Sequence, residues 1–182
     1  MLKPRDLFET NELYQLLIHP SVFPYVRHKA TSPEEYLFMT KQIIEEEALG
    51  KTISRTILDE WGQPIGTISL YDIQDGAGFL GTWIGAPFQG KGYNQIAKKE
   101  FLSEIFFKYN FHTVFLRIRK ENEKSKRASL KLQYVISANE LHPTLYEEIN
   151  SGEAKYDLYK IPRDLFYLVT ANEEENEEEQ VI

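Results

Sequence analysis

A glycine-rich segment between a predicted strand and a long predicted helix constrains the fold of this chain most. The segment reads GAPFQGKGYN over residues 85–94, and it follows a strand-like stretch at residues 79–84. Apolar side chains then recur every four residues from Tyr93 to Tyr109, which is typical of an amphipathic helix. Glycines let backbone N–H groups converge, and a helix N-terminus adds partial positive charge. The sequence therefore predicts a phosphate- or pyrophosphate-binding turn; a turn without a ligand stays open at this point.

Two known nucleotide-binding patterns do not fit this turn. A P-loop ends in Gly-Lys-Ser/Thr, and Gly92 stands where the hydroxyl that holds Mg²⁺ is needed. The next predicted strand, residues 113–119, offers no Asp for the metal. A dinucleotide fingerprint needs a third glycine where Gln95 stands. Nucleotide hydrolysis and dinucleotide binding are therefore disfavoured.

Helical and strand patterns alternate along the rest of the chain. Ser32, Pro33 and Glu35 form a capping signature for a helix that Gly50 ends, and Thr10 is a candidate N-cap for a shorter helix before it. Strands are predicted at residues 52–58, 64–71, 79–84, 113–119, 134–137 and 156–161, helices at 93–109 and 122–133, and a terminal helix or extended edge at 162–169. This order predicts an α/β (α+β) fold in a single domain over residues 1–170.

The net charge of −7 is concentrated at the C-terminus. Residues 173–182 contain six Glu, whose removal takes the charge from −7 to −1. This run predicts a disordered acidic tail over residues 171–182. A nearly neutral folded part does not favour nucleic-acid binding. Because the chain has no apolar run of about 18 residues and no signal-peptide pattern, we expect a cytoplasmic protein without a membrane partner.

Cysteine and histidine usage limits the chemistry further. The chain has no Cys, which excludes disulfides, a thiolate nucleophile and Cys-based metal sites. The four His residues, at positions 19, 28, 112 and 142, show no ligand spacing, so the sequence predicts no metal.

The segment QGKGY at residues 89–93 resembles the Q/R-x-x-G-x-G/A signature of the GCN5-related N-acetyltransferase (GNAT) superfamily, with Asn94 in place of Gly or Ala. GTWIG at residues 81–85 resembles the strand that splays from its neighbour in that family. Residues 116–134 resemble its strand, N-x-x-S and helix, with Gln133 in place of the usual Gly, most closely in the branch of ribosomal-protein N-terminal acetyltransferases. The three matches share the family's order and spacing.

The resemblance implies a mixed, mostly antiparallel twisted sheet flanked by helices, with a splayed central strand pair. It implies an N-acetyltransferase of the EC 2.3.1 class that uses acetyl-CoA as cosubstrate. The acetyl group would pass directly to a primary amine, on a protein N-terminus or a small molecule. The implied cosubstrate-binding residues are Trp83, Ile84, Gln89, Gly90, Lys91, Gly92, Tyr93, Asn122 and Ser125.

Structural roles are the alternative for several of these residues. Asn122 is also a natural helix N-cap with Ser125 as the third helical residue, and the side chains of Trp83 and Ile84 are typical of a core.

Ser129 is the candidate catalytic residue. It stands seven residues after Asn122, where many relatives carry a Tyr that protonates the leaving thiolate. The alternative is a serine whose hydroxyl bonds to a backbone carbonyl. The Glu base of relatives is replaced by Phe79 and Leu80, and its possible substitutes near predicted strand ends are Asp72, His142 and Tyr159. A peptide N-terminus, with its pKa near 8, would need no base.

Two other functions stay open from the sequence. One is a non-catalytic CoA-binding module, suggested by the missing Glu and by Ser129, Asn94 and Gln133. The other is a structural or interaction domain that uses the glycine-rich turn without CoA. The resemblance allows a monomer or a homodimer, and residues 20–33 and 137–155 are the expected acceptor loops.

Overall fold

The chain folds as two units in a computed structural model that describes residues 1–180, with side chains described for residues 1–173. Unit 1 holds Met1–Gln74 and Leu80–Tyr109, and unit 2 holds Asp75–Phe79 and the chain from Asn110 onward.

Unit 1 contains three complete strands and three helices. They are β1 (Leu2–Pro4), α1 (Thr10–Leu17), α2 (Pro33–Ala48), β2 (Ile53–Leu58), β3 (Pro64–Gln74) and α3 (Tyr93–Ser103). Two 3₁₀ turns lie at Phe23–Tyr25 and Ala86–Phe88. β2 pairs antiparallel with both β1 and β3, with Ile57 opposite Leu2 on one side and Gly66 on the other.

Unit 2 contains the second half of the sheet. Its elements are β5 (Thr113–Arg119), α4 (Glu123–Leu130), β6 (Ile136–Ser137), α5 (Pro143–Ile149), β7 (Tyr156–Pro162) and α6 (Arg163–Gln180). β7 pairs antiparallel with β5 and with β6, so that Tyr159 lies opposite Leu116 and Ser137. Neither β1 nor α5 was expected from the sequence, and the strand expected at 134–137 is only two residues long.

One strand, β4 (Ala77–Ile84), contributes residues to both units. The strand order is β1-β2-β3-β4-β5-β7-β6. The parallel pairing of β4 with β5 joins Ala77–Phe79 to Thr113–Phe115, and residues 80–84 lie beyond that register. The sheet is therefore mixed and mostly antiparallel, with helices beside it, which confirms the predicted fold class.

Helix ends test the capping predictions. Ser32 caps α2 as expected, because its hydroxyl accepts from the Glu35 N–H at 3.1 Å, and Gly50 follows the helix with φ +70°. The N-cap expected at Thr10 is wrong. The N-cap of α1 is Glu9, and the Thr10 hydroxyl donates to the Leu7 carbonyl at 2.9 Å instead of accepting from the helix.

The helix expected over residues 93–109 changes form at its end. α3 stops at Ser103, and a π-helical turn follows over Glu104–Lys108. A π-turn adds a residue to the helical repeat, so the four-residue apolar stripe loses its register. Ile105 is still buried, but Tyr109 is 39% exposed.

One hydrophobic cluster of unit 1 lies between α1, α2 and the last residues of β4. Leu13 and Leu17 stack at i and i+4 on α1 and pack with Tyr36 of α2. Trp83 and Ala86 pack against the same cluster. The chain before the glycine-rich turn is therefore fixed by core packing.

The predicted acidic tail lies at the end of α6. This helix continues to Gln180, whereas residues 181–182 of that tail lie outside the described residues. Among residues 1–180, no helix is long and apolar enough to cross a membrane.

Candidate functional site

The turn before α3 presents a run of backbone donors. The five consecutive N–H groups from Gly90 to Asn94 donate to no acceptor among the described residues. Gly90 and Gly92 have φ values of +78° and +89°, and a Cβ at either position would have no neighbour within 4 Å. Successive amides in such a turn, at a helix N-terminus, form an anion-binding concavity.

Side chains at both ends hold this turn in place. The Gln89 carboxamide donates to the Ile84 carbonyl at 2.9 Å, so it ties the turn back to β4. The Tyr93 hydroxyl donates to the Glu60 carboxylate, and this hydrogen bond raises the pKa of Tyr93 to about 12. Lys91 is exposed, with its Nζ 5.6 Å from the centre of the Phe88 ring. The donors are therefore presented on a turn that is anchored on both sides.

A glycine on β3 lets the chain before the turn approach closely. A Cβ added to Gly66 would lie 2.2 Å from the carbonyl oxygen of Trp83. The Gly85 N–H also donates to the Ile65 carbonyl at 2.8 Å. Ile84 is buried and Trp83 packs against the core, which confirms the structural alternative for both side chains and leaves their backbone groups as the binding candidates.

Asn94, the residue that departs from the family signature, joins α3 to β4. Its Oδ1 accepts from the Thr82 hydroxyl at 3.3 Å.

The predicted cosubstrate-binding residues of unit 2, Asn122 and Ser125, lie at the start of α4. Asn122 is the N-cap, and its Oδ1 accepts from the Ser125 N–H at 3.1 Å, which confirms its expected structural role. In the described part of the chain, the Asn122 amide hydrogens and the Ser125 hydroxyl make no other hydrogen bond. Gln133 avoids the left-handed backbone region, as expected for a residue that replaces Gly.

Ser129 is a buried hydroxyl without a partner. The residue is 1% exposed, and its Oγ has no hydrogen bond to any described residue. The alternative of a serine bonded to a backbone carbonyl is therefore wrong. Burying an unsatisfied hydroxyl costs free energy, so such an atom calls for a partner such as a ligand or a water.

The three candidate bases differ in their surroundings. Asp72 is engaged by Arg27, whose Nη2 lies 2.8 Å from each carboxylate oxygen. Burial raises the pKa of Tyr159. Burial and then the Lys160 ammonium, whose Nζ is 3.4 Å from Nε2, lower the pKa of His142. Both effects favour the uncharged imidazole of His142.

No group of three or more His, Asp or Glu side chains that could hold a metal ion occurs in the part of the chain with described side chains.

Residues 2–135 match the family model of the acetyltransferase (GNAT) domain. The match covers most of the chain, and it identifies the class of protein as an acyltransferase, EC 2.3.1. The chain belongs to the GNAT family and is an N-acetyltransferase. A search of curated proteins finds no match.

Solved structures of GNAT acetyltransferases share the fold. A chimera of the Vibrio cholerae spermidine N-acetyltransferase SpeG and hSSAT is 14% identical, with a TM-score of 0.71 and coverage of 92% of this chain and 97% of the other. A ribosomal-protein-S5-alanine acetyltransferase from Vibrio fischeri is 18% identical (TM-score 0.69, coverage 90% and 92%). Apo FdhC, a nucleotide-linked sugar GNAT, is 16% identical (TM-score 0.74, coverage 94% and 90%). The neighbours thus include the ribosomal-protein enzymes that the sequence resembles, beside enzymes for other acceptors.

Proposed function

We propose that this chain transfers the acetyl group of acetyl-CoA directly to a primary amine, on a protein N-terminus or a small molecule. The observation that carries the proposal is the run of five N–H groups from Gly90 to Asn94 that donate to no acceptor among the described residues. Diphosphate oxygens are strong acceptors, and hydrogen bonds to charged oxygens are about twice as strong as neutral ones. The helix N-terminus adds partial positive charge at the same place.

The backbone of Trp83 and Ile84 is proposed to bind the pantetheine arm. A backbone N–H at one of these residues would also donate to the oxyanion that forms when the amine attacks the thioester. The anchored Gln89 supports this assignment, because it fixes the Ile84 carbonyl relative to the turn.

The start of α4 is proposed to add further contacts to CoA. The amide hydrogens of Asn122 and the hydroxyl of Ser125 are the donors. The Ser129 hydroxyl is proposed to donate to the sulfur as the C–S bond breaks. This role is supported by its burial and its lack of any partner.

The acceptor must lose a proton before its nitrogen attacks the carbonyl carbon. His142 is the proposed base, since an uncharged imidazole can accept a proton, whereas Asp72 is paired with Arg27 and the raised pKa of Tyr159 keeps its hydroxyl protonated. A peptide α-amine, with a pKa near 8, would require the least help from it. Amines with low pKa values are therefore the favoured acceptors.

Calorimetry with acetyl-CoA tests the binding site. Gly92→Ala should weaken binding at least tenfold, because a Cβ strains the left-handed backbone that presents the amides. Gly50→Ala is the matched control: Gly50 has φ +70° and equally open surroundings, but follows α2. Equal affinities of the two variants, or no micromolar binding by the wild-type chain, would refute the site.

A thiol-release assay separates an enzyme from a binding module. The panel contains peptide N-termini, polyamines, aminoglycosides, amino acids and amino sugars. Turnover with at least one amine, fastest with acceptors of low pKa, is the expected result. Tight binding of acetyl-CoA without release of CoA for any amine would favour the non-catalytic module.

A further inference from the structure

Lys98 on α3 is buried without a partner. The residue is 5% exposed, and no hydrogen bond or ion pair joins it to any residue with a described side chain. Its neighbours Ala97, Phe101 and Leu102 are also buried. Lysines are almost never fully buried unless paired, because removing an ammonium from water is costly.

The amine is still charged near neutral pH. Burial is the only cause acting on Lys98, and it lowers the pKa to about 8. α3 packs against β1, β3 and the π-helical turn, while β4 carries no titratable side chain. The other titratable groups on those elements and on α3, apart from Lys99, contact residues other than Lys98. These contacts are Lys3 with Asp6 and Glu9, Tyr71 with Ser69, Asp72 with Arg27, Tyr93 with Glu60, Glu100 with the Leu2 N–H, Glu104 with Arg55, and Lys108 with Glu104. Lys99 is the remaining titratable residue of α3, and it does not shift the pKa of Lys98.

Helix geometry places the glycine-rich turn within reach of Lys98. Lys98 follows Asn94 by four residues, so both share the helix face that meets Thr82 of β4. Side chains on a helix lean toward its N-terminus. Four residues of helix rise about 6 Å, which is roughly the reach of an extended lysine. An extended Lys98 side chain can therefore reach the first turn of α3, where the amides of the glycine-rich turn lie.

We propose that Lys98 is the buried counter-charge for an anionic diphosphate bound by Gly90–Asn94. The proposal rests on the proposed function, in which that diphosphate belongs to acetyl-CoA. The amides supply only partial charges, whereas Lys98 supplies a full one. Lys98 is 5% exposed whereas Lys91 is exposed, so water screens the charge of Lys98 less and Lys98 should contribute more than Lys91.

Proton uptake gives a specific test, because an anion beside Lys98 would raise its protonated fraction. Titrations with acetyl-CoA at pH 8, in two buffers of different ionisation enthalpy, should show uptake of up to about half a proton per bound molecule. Lys98→Met should remove this uptake and weaken binding by about tenfold. Lys51→Met, which changes an exposed lysine of the same unit, should behave like the wild-type chain.

Lys98→Arg provides a second variant if Lys98→Met does not fold. Arginine keeps its charge at pH 8, so this variant should bind acetyl-CoA without the proton uptake. Wild-type binding without proton uptake, or Lys98→Met binding as tightly as wild type, would overturn the inference and leave the proposed function standing. Failure of the wild-type chain to bind acetyl-CoA at all would overturn both.

Discussion

Arg55 on β2 donates two hydrogen bonds to Glu104, with Nη2–Oε1 at 2.7 Å and Nε–Oε2 at 3.1 Å. Glu104 is the first residue of the π-helical turn, and Arg55 also contacts Glu47 of α2 at 2.6 Å. One buried guanidinium thus joins three elements of unit 1. Two parallel hydrogen bonds between a guanidinium and a carboxylate fix the geometry of the pair as well as stabilising it.

Replacing Glu104 by Gln should therefore destabilise the fold. Burial opposes ionisation of Glu104, but the hydrogen bonds and charges of Arg55 and Lys108 together outweigh it and hold the pKa of this carboxyl below its ordinary value. Removing the charge leaves Arg55 partly uncompensated, at a cost on the order of 2 kcal/mol in free energy of unfolding. Chemical denaturation at pH 7 measures this loss.

The exposed Glu45→Gln variant is the control for Glu104→Gln. A folded-state pKa below the unfolded value means that the stabilisation is present above the ordinary pKa and is lost as pH falls through the lowered one. The two variants should therefore differ at pH 7 and converge in acid. A constant difference from pH 7 to acid would contradict this explanation.

Lys98 should make stability depend on alkaline pH. Its folded-state pKa of about 8 lies below the unfolded value of 10.5, so the unfolded chain binds more protons between these values. The free energy of unfolding should then rise with pH across this window, by as much as roughly 3 kcal/mol. Lys98→Met should lack that rise and be more stable than wild type at pH 7. Parallel curves for the two proteins would show that Lys98 is not buried as a charge.

Ser129→Ala should reduce turnover without reducing stability. The Ser129 hydroxyl has no partner to lose, so its removal should leave the unfolding free energy unchanged or slightly higher. Loss of one donor to the leaving thiolate should lower kcat by about tenfold, while the Kd for acetyl-CoA stays the same. Ser103→Ala, which changes a helix serine outside the expected acceptor loops whose hydroxyl donates to the Lys99 carbonyl, is the control for kcat. Wild-type kcat in Ser129→Ala would remove this residue from the mechanism.

Gly66→Ala should disturb the strand that carries the proposed oxyanion donor. The added Cβ would meet the Trp83 carbonyl at 2.2 Å, so β3 and β4 must separate. A cost of about 3 kcal/mol is expected from this backbone clash, measured as a fall in Tm. Gly50→Ala, where nothing lies within 4 Å, should lose about 1 kcal/mol from its left-handed backbone alone. Similar Tm values for the two variants would refute the close approach.

Local patterns were sufficient to predict most of the fold. Ser32 and Gly50 mark the ends of α2 because capping depends on neighbours within a few residues. The strand, turn and helix around Gly92 were equally readable. Thr10 failed because the same hydroxyl can accept from the helix or donate to a preceding carbonyl, and the sequence does not decide between them.

The parts of the candidate site that the sequence did not predict depend on contacts between residues far apart in the chain. In the sequence Gly66 is an ordinary strand glycine, and only the structure shows that the Trp83 carbonyl lies beside it. Lys98 is one of two adjacent lysines in α3, and only its burial distinguishes it from Lys99. The pattern of apolar residues in the sequence could have indicated that Lys98 is buried, since Lys98 lies between Ala97 and Phe101 on the inner face of α3.

Gly62 and Gly92 adopt nearly the same backbone angle, with φ values of +79° and +89°. At Gly62 the N–H donates to the Asp59 carbonyl at 3.2 Å, and the chain simply reverses. At Gly92 the N–H and its neighbours on both sides donate to no acceptor among the described residues. The turn at Gly62 and the turn proposed to bind CoA therefore share one conformation, and they differ in whether their amides have acceptors within the described chain. Engineering either into the other would mean adding or removing acceptors, with the glycine left untouched.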